Sequence, residues 1–273
     1  MKITALTENI SIEPKFAHVH GLSFYIETPM HKILFDMGPD DTFIKNADLL
    51  GVKLEDVDIA FISHGHDDHG GALKLFMDIN HKAKIYVRNN IFDSHYATHT
   101  QGIVEIGLDK SLMNSERIVL MEEDCQIDEE LFLFSGVTGR KYFSEANKTL
   151  YAEKNGERIV DDFTHEQNLI ITAEGKKVLI GGCAHNGIVN IMEQIKEIKG
   201  YEVDVVISGF HLMNPDIGAN ESNELVEGVA GELVKYGSKY YTCHCTGIDS
   251  YNGLKSIMKD QVDYIAAGQT VEV

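Results

Sequence analysis

Residues 63–71 read SHGHDDHGG and contain an HxHxDH pattern that places four potential metal ligands close together. The four side chains are His64, His66, Asp68 and His69. Neutral imidazole nitrogen and carboxylate oxygen are ligands that zinc and related divalent ions prefer, and such groups are costly to bury without a partner. The alternative is a polar surface loop or a tag-like histidine cluster, but a tag has no fixed aspartate. The pattern therefore predicts a metal site.

The neighbouring sequence predicts that this pattern lies on a loop between a strand and a helix. Residues 57–62 form a largely apolar, β-branched run with the length of a buried strand. The glycine pair that ends the stretch, followed by the amphipathic residues 72–77, indicates a tight turn into a helix. On such a loop, we expect the first two histidines to face one ion and the aspartate and last histidine to face a second.

Further motifs accompany the loop. LFDMG ends a predicted strand at 34–38, GGCAHNG follows another at 181–187, and TCHCTG lies at 242–247. Together with the HxHxDH loop, these motifs resemble the metallo-β-lactamase superfamily, and the resemblance extends along nearly the whole chain. It implies an α/β fold, namely the αββα four-layer sandwich of that superfamily.

Shorter motifs resemble one branch of the superfamily. That branch is the 7,8-dihydropterin-6-methyl-4-(β-D-ribofuranosyl)aminobenzene-5′-phosphate synthase-like group. The motifs are HGLS at 20–23, HEQ at 165–167, GCAHNGIVN at 182–190, SGFHL at 208–212 and HCTG at 244–247.

Two histidines outside the loop complete the expected ligand set. His185 follows the apolar residues 178–180 and a glycine pair, and His244 follows residues 240–242 in the same way. A histidine at such a strand end is otherwise usually a hydrogen-bonded core residue, but the loop needs partners from elsewhere to close a tetrahedral site. We therefore expect two triads of ligands, one composed of His64, His66 and His185 and the other of Asp68, His69 and His244.

Two positions depart from the superfamily pattern. Cys183 stands where many members place a bridging aspartate. Its sulfur suits zinc, but small buried cysteine is the commoner state, so we favour a role beside the metals or the substrate over ligation. His165 is the nearest counterpart of a further superfamily histidine and competes with His185 as a ligand. For His165 and Glu166 we favour a supporting or substrate-contacting role.

Other polar residues receive separate interpretations. His211 follows a predicted strand and is a candidate catalytic residue that contacts a substrate phosphate or donates a proton, with a capping or core role as the alternative. Asp36 is expected to orient a metal-bound histidine through its second ring nitrogen. His20 belongs to the branch motifs and is a candidate substrate contact. His95 and His99 are four residues apart, could share a helical face, and are assigned to a cap over the site. The histidines expected at the surface or in structural roles are His18, His31 and His81.

Composition indicates an ordinary globular protein, because 43% of the residues are hydrophobic and 25% are charged. The formal net charge of −19 disfavours a nucleic-acid partner and the nuclease branches of the superfamily. The N-terminal residues lack a continuous apolar stretch, so we expect neither a signal peptide nor a membrane span there, and four scattered cysteines predict reduced thiols. We expect a cytoplasmic protein without a membrane partner. The sequence leaves the oligomeric state open, with a homodimer among the alternatives.

Strands and helices are expected to alternate along a single domain spanning residues 1–273. Residues 89–163 are less regular and are the expected cap. A hairpin is predicted around Glu174 and Gly175, because this pair is a turn signal between two apolar runs. Residues 188–198 are expected to form a helix whose isoleucines share one buried face.

The resemblance implies a metal-dependent hydrolase in which two divalent ions activate a water, and we expect a small phosphorylated substrate. Zn²⁺ is favoured over Mn²⁺, Fe²⁺ and Ni²⁺, all of which accept histidine and carboxylate. Asp68 is expected to serve both as ligand and as proton acceptor. One alternative is a pterin-related group-transfer synthase. Another is a redox iron protein or a silent metal sensor, although diiron relatives typically carry glutamate where His66 stands.

Overall fold

Two large sheets lie face to face in the computed structural model, which describes residues 1–215 and 217–273. The strands are β1 (Lys2–Thr7), β2 (Ser23–Glu27), β3 (Lys32–Phe35), β4 (Ile59–Phe61), β5 (Lys84–Arg88), β6 (His95–His99), β7 (Gly102–Glu105), β8 (Ile118–Met121), β9 (Cys125–Gln126), β10 (Leu131–Ser135), β11 (Leu150–Lys154), β12 (Glu157–Val160), β13 (Gln167–Ala173), β14 (Lys176–Ile180), β15 (Val205–Gly209), β16 (Met213–Asn214), β17 (Ala219–Asn220), β18 (Lys239–Cys243), β19 (Val262–Tyr264) and β20 (Thr270–Glu272). The α-helices are α1 (Thr42–Leu50), α2 (Asp67–Gly70), α3 (Leu73–Ile79), α4 (Ile188–Lys199), α5 (Asn223–Leu233) and α6 (Ile248–Met258). Short 3₁₀ turns cover Leu54–Asp56, Lys110–Leu112, Glu145–Thr149, His244–Thr246 and Lys259–Gln261.

Strand order brings four loops of the site to one edge. The first sheet has the order β20-β1-β2-β3-β4-β5-β8, and the second has the order β19-β18-β15-β14-β13-β10-β9. In the first, β3, β4, β5 and β8 pair in parallel, and in the second, β14, β15, β18 and β19 do so. Because the carboxyl ends of parallel strands share an edge, polar residues that follow them gather there.

Three hydrophobic clusters hold the layers together. Between the sheets, Phe24 and Phe61 of the first sheet belong to the same buried cluster as Ile180 of the second. On the outer face of the first sheet lies a cluster that includes residues of α1 and α3, such as Phe76. On the outer face of the second lies a cluster that includes residues of α4, α5 and α6, such as Leu254. This arrangement is an αββα four-layer sandwich, so the predicted fold class is confirmed.

The hairpin that leads into the site has the expected form. β13 and β14 pair antiparallel and are joined by Glu174 and Gly175, whose φ angles are 52° and 79°. Positive φ at both turn residues characterises a type I′ turn, whose twist matches that of the flanking strands. The register that this turn sets places residues 181–187 at the end of β14, beside the loop that follows β4.

Helix α4 differs from the expectation in one residue. Ile188, Ile191 and Ile195 are buried, but Ile198 is 39% exposed. With 3.6 residues per turn, Ile198 lies roughly 60° of arc from Ile195, at the margin of the buried stripe. The buried face of α4 therefore ends before Ile198, which the spacing had placed on it.

Part of the expected cap region, residues 89–163, forms a third, smaller sheet with the order β12-β11-β6-β7. The expected bounds are too wide, because β8, β9 and β10 of the same region belong to the two large sheets. Both His95 and His99 lie on β6, so the expectation of a shared helical face is wrong. The two positions still share a face, because residues two and four apart in a strand point to the same side. Ala97 and His99 of this strand line the cavity described below.

None of the helices in the described part of the chain has the length and apolar character needed to cross a bilayer.

Cys125, Cys183, Cys243 and Cys245 are free thiols, as the sequence predicted.

A methyl group added at Gly182 should destabilise the fold. Its Cβ would lie 2.7 Å from Ser63 Cβ and 3.2 Å from His64 Nδ1, at a buried position where the two sheets meet. Overpacking of this kind costs roughly 1–3 kcal/mol. Gly182→Ala should therefore lower the urea midpoint. Gly231→Ala in α5 is the control, because its Cβ would meet nothing within 4 Å, and it should raise the midpoint by removing a helical glycine. Equal midpoints for the two variants would contradict this prediction.

Candidate metal centre

The site is a cavity of about 210 Å³ at the carboxyl ends of the parallel strands. Its polar floor comes from the loops that follow β4, β14, β15 and β18. The floor residues are His66, Asp68, Cys183, His185, His211, His244 and Cys245. One wall comes from the third sheet and the segments beside it, through Ala97, Val104, Ile106 and Leu150.

Backbone conformation marks these strand ends. Asp36, Ala184, His211 and His244 adopt φ angles between 48° and 57°. Residues other than glycine rarely occupy this left-handed region, and such strain tends to concentrate at functional sites. The sequence therefore uses strained turns to direct these strand-end loops into one cavity.

His64 and His185 form the first converging pair. Their Nε2 atoms are 3.2 Å apart. Ser63 Oγ donates to Asp36, so it accepts from His64 Nδ1 at 2.8 Å, and His185 Nδ1 donates to Asn147 Oδ1 at 3.0 Å. Because Nδ1 carries the proton in each ring, both Nε2 lone pairs are free to bind an ion. Nitrogens bound tetrahedrally to one zinc lie roughly 3.3 Å apart, so this spacing fits.

His69 and His244 form the second pair, with Nε2 atoms 3.2 Å apart. His69 Nδ1 donates to Asp36 at 2.7 Å and His244 Nδ1 donates to Asn9 Oδ1 at 2.8 Å, so that Nε2 of each ring is the nitrogen that faces the other ring. Asp68 Oδ2 lies 3.1 Å from His244 Nε2 and 3.6 Å from His69 Nε2. The structure thus brings the second expected triad together.

His66 differs from the other four histidines. Its ring lies 4.6 Å from that of His64 and 5.0 Å from that of His185, measured between centroids, so it belongs with the first pair. Its Nε2 is buried and has no hydrogen-bond partner. Nδ1 is therefore the nitrogen left for the cavity, and no described residue holds the other side of this ring.

Cys183 lies between the two triads. One ligand atom of each residue in the group His64, Cys183 and His185 lies within 4.8 Å of the others, and the same holds for Cys183 with Asp68, His69 and His244. Its Sγ is 3.2 Å from His69 Nε2. Burial raises the pKa of this thiol well above its usual value, so the thiolate requires a cation beside it. The cysteine is buried as expected, but its position favours ligation more than the sequence did.

The charge states suit metal binding. Burial lowers the pKa of His64, His66 and His185 well below the usual value, so these rings are neutral ligands. Burial also acts to lower the pKa of His69, but Asp68 and Asp36 outweigh it and raise that pKa to about 9. An ion that binds His69 must therefore displace a proton.

Two candidate contacts lie at the cavity. His20 Nε2 is 3.2 Å from Asp68 Oδ2, and its ring centroid is 4.5 Å from that of His244. The His211 ring lies 4.2 Å from that of His185, and both of its nitrogens are buried without a hydrogen-bond partner. Both histidines are thus placed to contact a bound molecule.

The HEQ motif lies behind the ligands. Glu166 accepts hydrogen bonds from the backbone of His185 at 2.5 Å and from the Asn186 side chain at 3.0 Å, so it holds the 181–187 loop in place. His165 Nδ1 accepts from the Gly65 backbone at 2.9 Å, and its ring centroid is 6.0 Å from that of His64. His165 is therefore not part of either converging pair.

The sequence indicated Asp36, which contacts His69 as expected, but not the other residues that orient the ligands. Ser63, Asn147 and Asn9 each contact a ligand histidine, and the Asn9 and Asn147 amides also donate to the backbone oxygen of the residue that they orient. Asn9 is 235 positions from His244. Ser63 adjoins the HxHxDH pattern, which was a usable signal, whereas no local pattern marks the two asparagines.

Removal of the Asp36 charge should weaken the ion bound by His69 more than the ion bound by His64, because Asp36 contacts His69 directly and reaches His64 only through Ser63. Asp36 accepts from His69 and Ser63, so it fixes the His69 tautomer and increases the electron density at Nε2. Asp36→Asn should weaken the ion bound by His69 about 10–100-fold, as loss of such partners does in other metal sites. Zinc titration against a chromophoric chelator measures this, and Asp58→Asn, a surface change, is the control. Unaltered affinity would contradict the assigned role.

Comparisons with known proteins identify the family of the chain. A family model described as the metallo-beta-lactamase superfamily matches residues 18–188. The 7,8-dihydropterin-6-methyl-4-(beta-D-ribofuranosyl)-aminobenzene-5′-phosphate synthase of Methanocaldococcus jannaschii is 29% identical over 100% of this chain and 96% of that protein. A crystal structure of Tm1679, described as a metal-dependent hydrolase of the beta-lactamase superfamily, superposes with a TM-score of 0.83 at 29% identity, covering 100% of this chain and 99% of that one. Zn²⁺-bound PqqB of Methylobacterium extorquens, at 14% identity and a TM-score of 0.60 over 100% of both chains, shares the fold. The chain belongs to the metallo-β-lactamase superfamily.

Proposed function

We propose that this protein is a dinuclear metalloenzyme that hydrolyses a small phosphorylated substrate. One divalent ion is held by His64, His66 and His185, and the other by Asp68, His69 and His244. Cys183 supplies a thiolate between them. Zinc is the favoured metal, because imidazole, thiolate and carboxylate together suit it best.

One observation carries this proposal. Four histidines donate Nδ1–H to fixed oxygen acceptors, so their Nε2 atoms face one another in two pairs that are each 3.2 Å apart. Burial of the neutral His64 and His185 rings, whose Nε2 lone pairs face each other, is costly unless a cation binds them. A pair of divalent ions supplies a nucleophilic water near neutral pH and neutralises charge that develops on a phosphoryl oxygen.

Two side chains beside the proposed ions are candidates for proton transfer. Burial acts to raise the pKa of Asp68, but the charge of His69 and the hydrogen bond from His20 outweigh it and hold that pKa well below its usual range. Asp68 is therefore ionised, as a ligand of the second ion must be, and its position at the cavity makes it our candidate to accept the proton of the attacking water. His211 stands near His185, on the other side of the floor, and can donate a proton to the leaving oxygen.

The cavity lining points to a small organic phosphate. Among the described residues that line it, none is a lysine or an arginine. Phosphoryl charge must then be neutralised by the ions and by histidines, which suits one phosphoryl group better than a polyanion. Ala97, Val104, Ile106 and Leu150 form an apolar wall for the organic part.

A second candidate is a pterin-related group transfer, in which the same ions position a phosphorylated or pyrophosphorylated pterin-like substrate. Two observations favour it. The relative named as a dihydropterin synthase aligns along 100% of this chain, and the apolar wall can accept a flat ring. The two candidates share the metal centre and differ in the bond that breaks. In the first, water attacks phosphorus and an alcohol leaves; in the second, an organic acceptor attacks the carbon that bears the phosphate or pyrophosphate, which leaves with the C–O bonding electrons.

Metal analysis followed by turnover assays tests the proposal. We expect two zinc-like ions per chain and hydrolysis of bis(p-nitrophenyl) phosphate or p-nitrophenyl phosphate that chelation abolishes. Hydrolysis without detectable transfer supports the first candidate. Transfer from a pyrophosphorylated dihydropterin to 4-(β-D-ribofuranosyl)aminobenzene 5′-phosphate supports the second. Metal-free protein that added zinc does not change contradicts both, and redox-active iron with oxygen uptake replaces them by the redox alternative.

A further inference from the structure

We propose that His95 and Asp161 are positioning residues that hold His66 for its metal ion, through a buried chain of hydrogen bonds. This inference rests on the proposed metal pair. Each of the other four ligand histidines has a described partner at its second ring nitrogen. His66 is the exception, because its Nε2 is buried and has none.

A group of buried side chains lies on that side of His66. One ligand atom from each of His66, His95, Asp161 and His165 lies within 4.8 Å of the others. Asp161 Oδ2 accepts from His95 Nδ1 at 3.0 Å and from His165 Nε2 at 3.1 Å. The exposed fraction of each of the four residues is 5% or less. The carboxylate is therefore buried between two histidine rings.

The Gly65 backbone N–H and the Asp161 carboxylate determine which ring nitrogens of His165 and His95 carry protons. The Gly65 backbone N–H donates to His165 Nδ1, so the His165 proton is on Nε2 and points at Asp161. A metal ion among these four residues is disfavoured, because binding at His165 Nε2 would require loss of that proton. Asp161 accepts the His95 proton at Nδ1, which leaves a lone pair on His95 Nε2. That nitrogen is also buried without a partner.

Two unpartnered nitrogens of opposite character thus lie close together. With an ion on Nδ1, His66 carries its proton on Nε2 and needs an acceptor, while His95 Nε2 needs a donor. Their rings are 5.6 Å apart between centroids and meet edge-on at 72°. A hydrogen bond between them, direct or through one water, satisfies both nitrogens. The chain then runs from Asp161 through His95 to His66 and makes Nδ1 a stronger ligand.

Zinc affinity of the purified chain tests this inference without any turnover assay. His95→Gln and Asp161→Asn each break the chain and should weaken one of the two ions about 10–100-fold, as loss of such partners does elsewhere. Native mass spectrometry during zinc titration should then show a one-ion species that the wild type lacks. Combining either variant with Asn9→Ala, which removes the partner of His244 Nδ1 and so acts on the other ion, should weaken both.

Asp162→Asn is the matched control for the aspartate, because it changes the neighbouring residue, which pairs with Lys154 at the surface. His81→Gln, at an exposed position, is the control for the histidine. Should His95→Gln fail to fold, Asp161→Asn carries the same measurement. Full retention of both ions in the variants overturns the inference, as does equal weakening of both ions. Wild-type protein that binds no zinc overturns the proposed function as well, whereas two ions without turnover affects only the proposed reaction.

Discussion

Replacement of Asp68 by asparagine should lower kcat about 10²–10⁴-fold, the usual contribution of a general base. The carboxylate is unusual in this site because it combines two roles. It lies 3.1 Å from His244 Nε2, as a ligand of the second ion should, and 3.2 Å from His20 Nε2 at the cavity rim. An amide keeps the shape of the carboxylate but loses its charge and its ability to take a proton.

Steady-state phosphodiesterase assays at saturating zinc measure this effect. High zinc refills the second site, so the remaining defect reports proton transfer rather than metal loss. Asp78→Asn is the control, because Asp78 forms a surface ion pair with Lys74 at 3.1 Å and is far from the cavity. A variant whose kcat recovers fully at high zinc would show that Asp68 acts as a ligand alone. The base would then have to be sought at His20 or His211.

The sequence predicted the fold and the ligand set largely because both depend on strand ends. HxHxDH is a local pattern, and its flanking strand and helix follow from apolar periodicity. His185 and His244 were found by the same logic, since each follows a strand and a turn. The structure brings both next to the loop residues, with Nε2 atoms 3.2 Å from His64 and His69 respectively.

Residues that orient the ligands were far less visible. Asn147 approaches His185 from a 3₁₀ turn in the irregular region, where periodicity carries no signal. His95 was given a helical face because four-residue spacing suits a helix, but the same spacing also fits one face of a strand. His95 lies on a strand because β6 pairs with β11, which is distant in the sequence. Long-range pairing of this kind leaves no pattern in a single sequence.

The side chain between the two triads decides whether the two ions share a protein ligand and which metal the site favours. Cys183 reaches both triads, at the strand end where many superfamily members place a bridging aspartate. A thiolate is softer than a carboxylate and favours zinc over magnesium or manganese. Its buried neutral form is favoured without a cation, so binding of an ion and loss of the thiol proton should occur together.

Cys183→Ala should therefore weaken zinc binding by at least about 100-fold, more than the loss of an orienting partner does, while Cys183→Asp should restore two ions by returning a carboxylate to that place. Cobalt-substituted protein separates the variants spectroscopically. The wild type should show a sulfur-to-cobalt charge-transfer band in the near ultraviolet, and both variants should lack it. Cys125→Ser, at a half-buried position outside the cavity, should keep the band. A wild-type spectrum without that band, or an alanine variant that holds both ions as tightly as the wild type, would place the sulfur outside the metal centre, and the two triads would then have to be linked by water alone.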